Sequence, residues 1–299
     1  MSSKLTAEER GAPKARPALS SLVKWVGVAP FLFFVALFIF LPSASLLMGS
    51  FRNNAGEFTL KNFVDLADPG ILGAYGVSIR ISLATAGMGG LLGFFMAYAV
   101  TLGGLPPWVR AGLLTFSGVA SNFAGVPLAF AFIATMGRTG MVTVLLKLLG
   151  VDLYGAGFSL YSFWGLSLTY LYFQFPLMVL IITPALDGLK SDWREAAENL
   201  GATPAQYWRM VALPILTPAI LGTMILLFGN AFGAYATALS LTGGFINLVT
   251  VLIGSQIKGD VLHNPGLGYA LAVGMIGVMA VAMTAYYFLR RRSERWLKL

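Results

Sequence analysis

The sequence predicts an all-α integral membrane protein with six transmembrane helices and both termini in the cytoplasm. Three observations predict it. Apolar residues make up 57% of the 299 and charged residues only 11%, where a soluble domain carries about 25% charged. The apolar residues fall into six long runs, at 25–48, 77–103, 109–136, 158–186, 214–239 and 266–289. Each exceeds the roughly 20 residues that cross the hydrocarbon core, and a span in lipid must satisfy its own backbone, so the runs are helices. Fourteen of the 20 Lys and Arg flank the spans on the side that holds both termini, and the positive-inside rule makes that side cytoplasmic.

The elements follow in order. Residues 1–20 are rich in Ser, Ala, Pro and charge and read as a disordered cytoplasmic tail, leaving 21–299 as the membrane domain. The first span has a basic leader like a signal peptide. The leader is long, however, and Pro42 ends a span of ample length, so a retained helix is expected. The external segment 49–76 reads as a loop with short helical pieces such as Leu60 to Leu66. Residues 104–108 form a tight cytoplasmic turn at Pro106-Pro107. In the external segment 137–157 the apolar stretch Val142 to Leu149 lies in the interface, and 240–265 is the last external segment. Pro30, Pro127, Pro176 and Pro184 fall inside spans as kinks. Gly89-x-x-x-Gly93 and Gly229-x-x-x-Gly233 allow close approach of helix backbones.

The cytoplasmic loop 187–213 has its own grammar. Asp192 caps a helix over 193–200, with Glu195 three residues in, and Gly201 takes the left-handed stop. Thr203 caps a second short helix with Pro204 at its first position and Gln206 completing a capping box. Pro214 marks the entry to the fifth span. Ala196 and Ala197 leave a low face that another protein can approach, and Trp193 and Leu200 offer apolar anchors. A self-capped hairpin lying on lipid is the alternative use of the same features.

Glu195-Ala196-Ala197, three residues, Gly201, nine residues, Val211, one residue and Leu213-Pro214 together resemble the EAA loop of binding-protein-dependent ABC importer permeases. Val211 stands where the family has Ile or a similar residue. The six-span layout, with this loop between the fourth and fifth, extends the likeness over most of the chain. From Thr169 onward, including Phe232-Gly233-Ala234-Tyr235, it is most similar to the spermidine/putrescine-type subgroup.

The resemblance implies a type I ABC importer permease fold in the bacterial inner membrane. It implies a second permease subunit, identical or paralogous, two ATPase subunits and a periplasmic or extracellular solute-binding protein that carries most of the selectivity. It also implies that Glu195, Ala196, Ala197, Gly201, Trp193 and Leu200 form the coupling site for the ATPase, and that the solute is a polyamine or a similar small polar molecule. ATP and Mg²⁺ belong to the ATPase. The residues agree on that point, since no Gly-Lys pair exists in the chain and a phosphate-binding P-loop needs one.

Other chemistry is excluded by composition. With no cysteine there are no disulfides, thiolate ligands or cysteine nucleophiles. The net charge of +8 sits beside the spans, as a stop signal such as Arg290-Arg291-Arg292 does, and points to lipid rather than nucleic acid. His263, alone in an external loop, makes no metal site. No paired carboxylates or triad supports an enzyme. No Asp or Glu lies well inside a span, which disfavours the alternative of a gradient-driven carrier or channel without an ATPase. Asn122, Gln174, Asn230 and Tyr235 are candidate pathway residues. For each amide the competing role is a tie to a neighbouring helix.

Overall fold

Residues 27–258 and 263–294 are described by the computed structural model; the expected tail over 1–20 lies outside them. The first helix, α1 (Gly27–Ser50), is 24 residues long with a mean hydropathy of 2.4, enough to span. Phe34 and Phe38 stack on it one turn apart, with ring centroids at 4.8 Å. Among the described residues, those up to Met48 and those from Gly49 onward form separate compact units.

In the second unit a short α2 (Lys61–Asp65) is followed by α3 (Pro69–Leu102). The sequence places this span at 77–103. It starts eight residues earlier because Asp68 caps it, accepting hydrogen bonds from the backbone N–H of Gly70 at 2.7 Å and of Ile71 at 3.4 Å, with Pro69 at the first position. The helix has 34 residues, about 51 Å at 1.5 Å per residue. Arg80 lies eleven residues in, which leaves about 33 Å beyond it, close to the thickness of the hydrocarbon core.

The third predicted span, 109–136, is not one helix. It divides into α4 (Pro107–Asn122) and α5 (Val126–Met136), and a turn then leads to α6 (Met141–Leu148). The chain from 126 to 148 is itself apolar and long enough to cross a membrane. The break at 123–125 has three causes. Asn122 turns its side-chain Nδ2 back onto the Gly118 carbonyl at 2.9 Å. Gly125 takes φ +75, a conformation that favours glycine. Pro127 has no N–H with which to continue the ladder. The fourth span, α7 (Phe163–Asp187), carries Pro176 and Pro184 without interruption.

A short α8 (Ser191–Asn199) is followed by α9 (Pro204–Phe232). The sequence predicts a second hairpin helix that stops before Pro214, but the chain runs on as one helix. A π-helical turn at Trp208–Ala212 takes up the change, with the Leu213 N–H bonded to the Trp208 carbonyl just before Pro214. In α1 the π turn Ala36–Phe40 ends with the Leu41 N–H on Ala36, just before Pro42. In both places a wide turn stands where the following proline withholds a donor.

The fifth predicted span, 214–239, also divides. After α9 the chain breaks at 233–235 and resumes as α10 (Ala236–Thr242), which Gly243 stops at φ +58. The expected loop 240–265 contains a further helix, α11 (Val249–Lys258), and the last span is α12 (Pro265–Glu294). An isolated antiparallel bridge pairs Arg52 with Phe58.

α7 is central. Met178, Val179, Ile182 and Leu186 are fully buried in a core shared with α3, α9 and α12. A second core gathers Leu128 and Ala129 of α5, Leu166 and Tyr170 of α7, and Ala238 and Leu241 of α10, around the two helix breaks. The breaks are satisfied from outside the helix ladders. The Gly125 N–H donates to Thr237 Oγ1 at 2.7 Å, and the Tyr170 hydroxyl donates to the Ala234 carbonyl at 2.8 Å. Within lipid, only such partners make irregular backbone tolerable.

Gly89 and Gly93 bring α3 onto α7, as the sequence predicts. A Cβ on Gly93 would lie 2.5 Å from Met178 Cβ and 2.6 Å from the Phe175 carbonyl oxygen. Gly229 and Gly233 do not repeat this. Gly229 meets only the end of Met279, at 2.8 Å, and Gly233 lies past the last residue of α9. Gly93→Ala is therefore expected to cost about 1–3 kcal/mol through overpacking against atoms that cannot retreat. Gly229→Ala is expected to be neutral or slightly stabilising, because Met279 can yield and alanine is the better helix former. Thermal unfolding in detergent compares the two; a midpoint for Gly93→Ala at or above that of Gly229→Ala would contradict the packing.

Candidate functional site

The hairpin 187–213 joins α7 to α9 at the end of the bundle where α3 ends and α4 begins. Two contacts fix that end. Arg110 in the first turns of α4 pairs with Asp187 at the end of α7, with Nη2 at 2.6 Å from Oδ2 and 2.8 Å from Oδ1. Tyr98 of α3 meets Trp208 of α9 edge-on at 5.1 Å. Amphipathic aromatic rings of this kind suit a membrane–water boundary.

α8 begins at Ser191 rather than 193, and Asp192 is in its first turn rather than at its cap. Lys190 holds the cap position with no side-chain hydrogen bond, and the Ser191 hydroxyl bonds Asp192 Oδ1 at 3.3 Å instead. Asp192 still complements the positive end of the helix; Glu195 lies a turn further on. The stop is the predicted one. Gly201 has φ +78, its N–H reaches the Glu198 carbonyl at 2.9 Å, and the Ala202 N–H reaches Ala197 at 3.0 Å, the Schellman pair. The capping box is present as well. The Thr203 N–H donates to Gln206 Oε1 at 2.7 Å, and the Gln206 N–H donates to Thr203 Oγ1 at 3.3 Å.

No residue of α8 is buried. Successive side chains step about 100° around a helix, so its faces separate. Ser191, Arg194 and Glu198 line a cleft of about 300 Å³, opposite Tyr98, Tyr207 and Trp208. Arg194 Nε bonds Glu198 Oε1 at 2.9 Å along that face, and the bond to Glu198 raises the Arg194 pKa further above its ordinary value. Asp192 and Ala196 occupy the opposite, exposed face, Glu195 is exposed on the flank beside Ser191, and Ala197 is half-buried. Trp193 is 37% exposed, with Lys190 Nζ 5.9 Å from its ring centroid, and Leu200 is 88% exposed. The hairpin thus presents carboxylates, a small residue and two large apolar side chains on a self-capped frame.

No hydrogen bond joins any two of the four candidate pathway residues. Gln174 is fully buried, and its Nε2 donates to the Leu227 carbonyl at 2.7 Å, tying α7 to α9; its Oε1 has no partner. Asn122 is exposed and bonded within its own helix. Asn230 is exposed on α9. The Tyr235 hydroxyl, in the second helix break, packs against Gly254 of α11. His263 is exposed, and its carbonyl accepts from Asn54 Nδ2 at 3.4 Å. The sequence reading missed the Arg110–Asp187 pair and the Thr237 anchor. Arg110 had a signal, as a cation beside a turn rather than in a basic cluster, but nothing in the sequence pointed to its partner 77 residues away.

A family model described as the binding-protein-dependent transport system inner membrane component matches residues 89–295. Similar proteins include the sulfate transport system permease protein CysT of Salmonella typhimurium, 27% identical over 71% of this chain and 72% of that one. They also include the spermidine/putrescine transport system permease protein PotB of Haemophilus influenzae, 24% identical over 92% and 96%. Sulfate and polyamine permeases thus both resemble the chain, and the polyamine subgroup is not singled out. Among solved structures, a bacterial ABC transporter that imports the acidic polysaccharide alginate superposes with a TM-score of 0.69 at 16% identity, over 93% of this chain and 96% of that one. The MetNI methionine ABC transporter, in inward-facing form, gives 0.50 at 17% identity over 76% and 99%. These likenesses are of fold.

The frame of the hairpin is open to direct measurement. Thr203→Ala removes the Oγ1 that holds the Gln206 N–H, a loss of about 1 kcal/mol for an N-cap. Hydrogen exchange of the amides at 206 and 207 is expected to quicken roughly fivefold, as that energy dictates, with exchange in α7 unchanged. Equal exchange in the variant and the parent would show that the cap does not hold this turn.

Proposed function

The chain belongs to the family of binding-protein-dependent transport system inner membrane components, and from that premise we propose that it is driven through its hairpin by a separate ATPase. As a multi-pass inner-membrane protein of this family it is the permease subunit of an ABC importer. The observation that carries the proposal is α8 itself, a helix without one buried residue, capped at its stop by Gly201 and held between two spans. A helix that buries nothing in its own bundle gains little from tertiary packing; a protein surface seated on it supplies what the bundle does not. In this reading Glu195 and Asp192 are polar contacts to the ATPase, Ala196 with the neighbouring Ala197 permits close approach, and Trp193 and Leu200 are the apolar anchors. The basic residues at 190, 194 and 209 put this end in the cytoplasm, and a second permease subunit completes the pathway.

The solute is a small polar molecule. Between the first and last turns of α3, α5, α7, α9 and α12 there is no Asp or Glu, so a polyamine would cross without a counter-charge from these helices. That favours an oxyanion of the sulfate type over a polyamine, and the two are separable by uptake of labelled sulfate and labelled spermidine into vesicles that hold the assembled importer.

Glu195→Lys reverses charge on the exposed face, and Gly201→Trp forces a bulky residue into a left-handed turn. Both are expected to abolish co-purification of the ATPase and ATP-dependent uptake, with normal amounts of the chain in the membrane. Parental levels of ATPase and of uptake in both variants would defeat the assignment.

A further inference from the structure

We propose that the ion pair between Arg110 and Asp187 is the strut by which movement of the hairpin reaches α4, which makes Arg110 and Asp187 positioning residues for transport. The inference rests on the reading of α8 as the seat of an ATPase. Having no buried residue, α8 packs little on the bundle beyond the rim of the cleft at Arg194 and Glu198. Displacement leaves chiefly through its two ends. One end runs through Gly201 and the capping box into α9. The other runs through 188–190 to Asp187, the last residue of α7.

At Asp187 there are two ways onward. α7 itself is pinned, since Gly93 of α3 meets Met178 and Phe175 with no room for a methyl group. α4 is not pinned in this way. Only Ser117 and Ala120 of its 16 residues are buried, and its far end is the break at 123–125, where the Gly125 N–H rests on Thr237. α4 is therefore a lever with a pivot at one end and the Arg110–Asp187 bond at the other.

The charges give the pair a local reason to form. A carboxylate at the C-terminal end of a helix and a cation in the first turns of another both oppose the helix dipole. Asp187 and Arg110 occupy those two unfavourable positions, and each offsets the other. Their side chains are 42% and 36% exposed, so either partner can be replaced without leaving a buried charge unpaired.

The test uses the absence of cysteine in the chain. Gly73→Cys on α3 and Gly112→Cys on α4, near the Arg110 end of the lever, replace glycines around which a Cβ would find no heavy atom within 4 Å. Spin labels there report the separation of the two helices by double electron–electron resonance. The complex is assembled with its ATPase and second permease in lipid and compared with and without ATP and vanadate. The doubly labelled parent is expected to show a nucleotide-dependent shift. Asp187→Ala and Arg110→Ala are each expected to remove most of it while the ATPase stays bound. The exchange of Arg110→Asp together with Asp187→Arg, which also sets both charges favourably to the helix ends, is expected to restore it. A full shift in the single variants, or no recovery in the exchanged pair, overturns the strut. No shift in the parent, with the ATPase bound, overturns the strut alone, whereas an ATPase that binds equally well to the Glu195→Lys and Gly201→Trp variants overturns the reading of the hairpin itself.

Discussion

The fold depends on the approach of α3 to α7 at Gly89 and Gly93. There a helix backbone lies against another helix with no side chain between them, and Met178, Ile182 and Leu227 close around the contact. Helices in lipid gain nothing from leaving water for each other, so close packing and interhelical hydrogen bonds must hold them. Glycine provides the first, and Gln174, donating across to Leu227, provides the second at the same level. With α3 and α7 locked, the remaining elements are arranged by how they attach to that pair. α9 and α12 pack on it as long helices. α5 and α10 form a second core with the upper part of α7, and α4 lies along α7 with few buried residues of its own.

That arrangement separates a rigid part of the molecule from parts able to move. The two helix breaks, at 123–125 and 233–235, lie in the second core and are held by single side chains, Thr237 on one and Tyr170 on the other. Each bond crosses between elements distant in sequence. A protein that must admit a polar solute needs backbone that can rearrange inside the membrane without leaving polar groups bare. Two breaks with their own side-chain partners meet that requirement better than six unbroken rods.

The existence of six apolar spans was legible because hydropathy over 20 or more residues is a strong signal, and the hairpin was legible because capping is local. Gly201, Thr203 and Gln206 act within four residues of themselves, and the structure has them in the expected roles. What escaped the sequence was set by distance. Pro176 and Pro127 are both prolines in apolar runs; Gly125 is the local difference that favours a break at the second, and the partner that makes the break tolerable, Thr237, is far along the chain. The start of α3 was misplaced because hydropathy marks where lipid begins, whereas Asp68 marks where the helix begins. Asp192 and Ser191 are both good cap formers in sequence, yet neither is the cap, because the helix already starts at Ser191 and the cap position falls on Lys190. Asn122, Gln174 and Asn230 stand out in sequence as polar groups in apolar surroundings, and a helix tie such as Gln174 has that character as fully as any solute contact.

The wide turn at Trp208–Ala212 has an effect well beyond its own five residues. It holds one residue more than an ordinary α-helical path, and one residue is about 100° of rotation. The side of α9 that carries Leu227 and Ala231, roughly 25 Å along the axis by the rise per residue, faces α7 because that surplus is present. Angular phase deep in the membrane is thus set at the mouth of the hairpin. A change in winding there would turn the whole rod like a key, without any need to bend it.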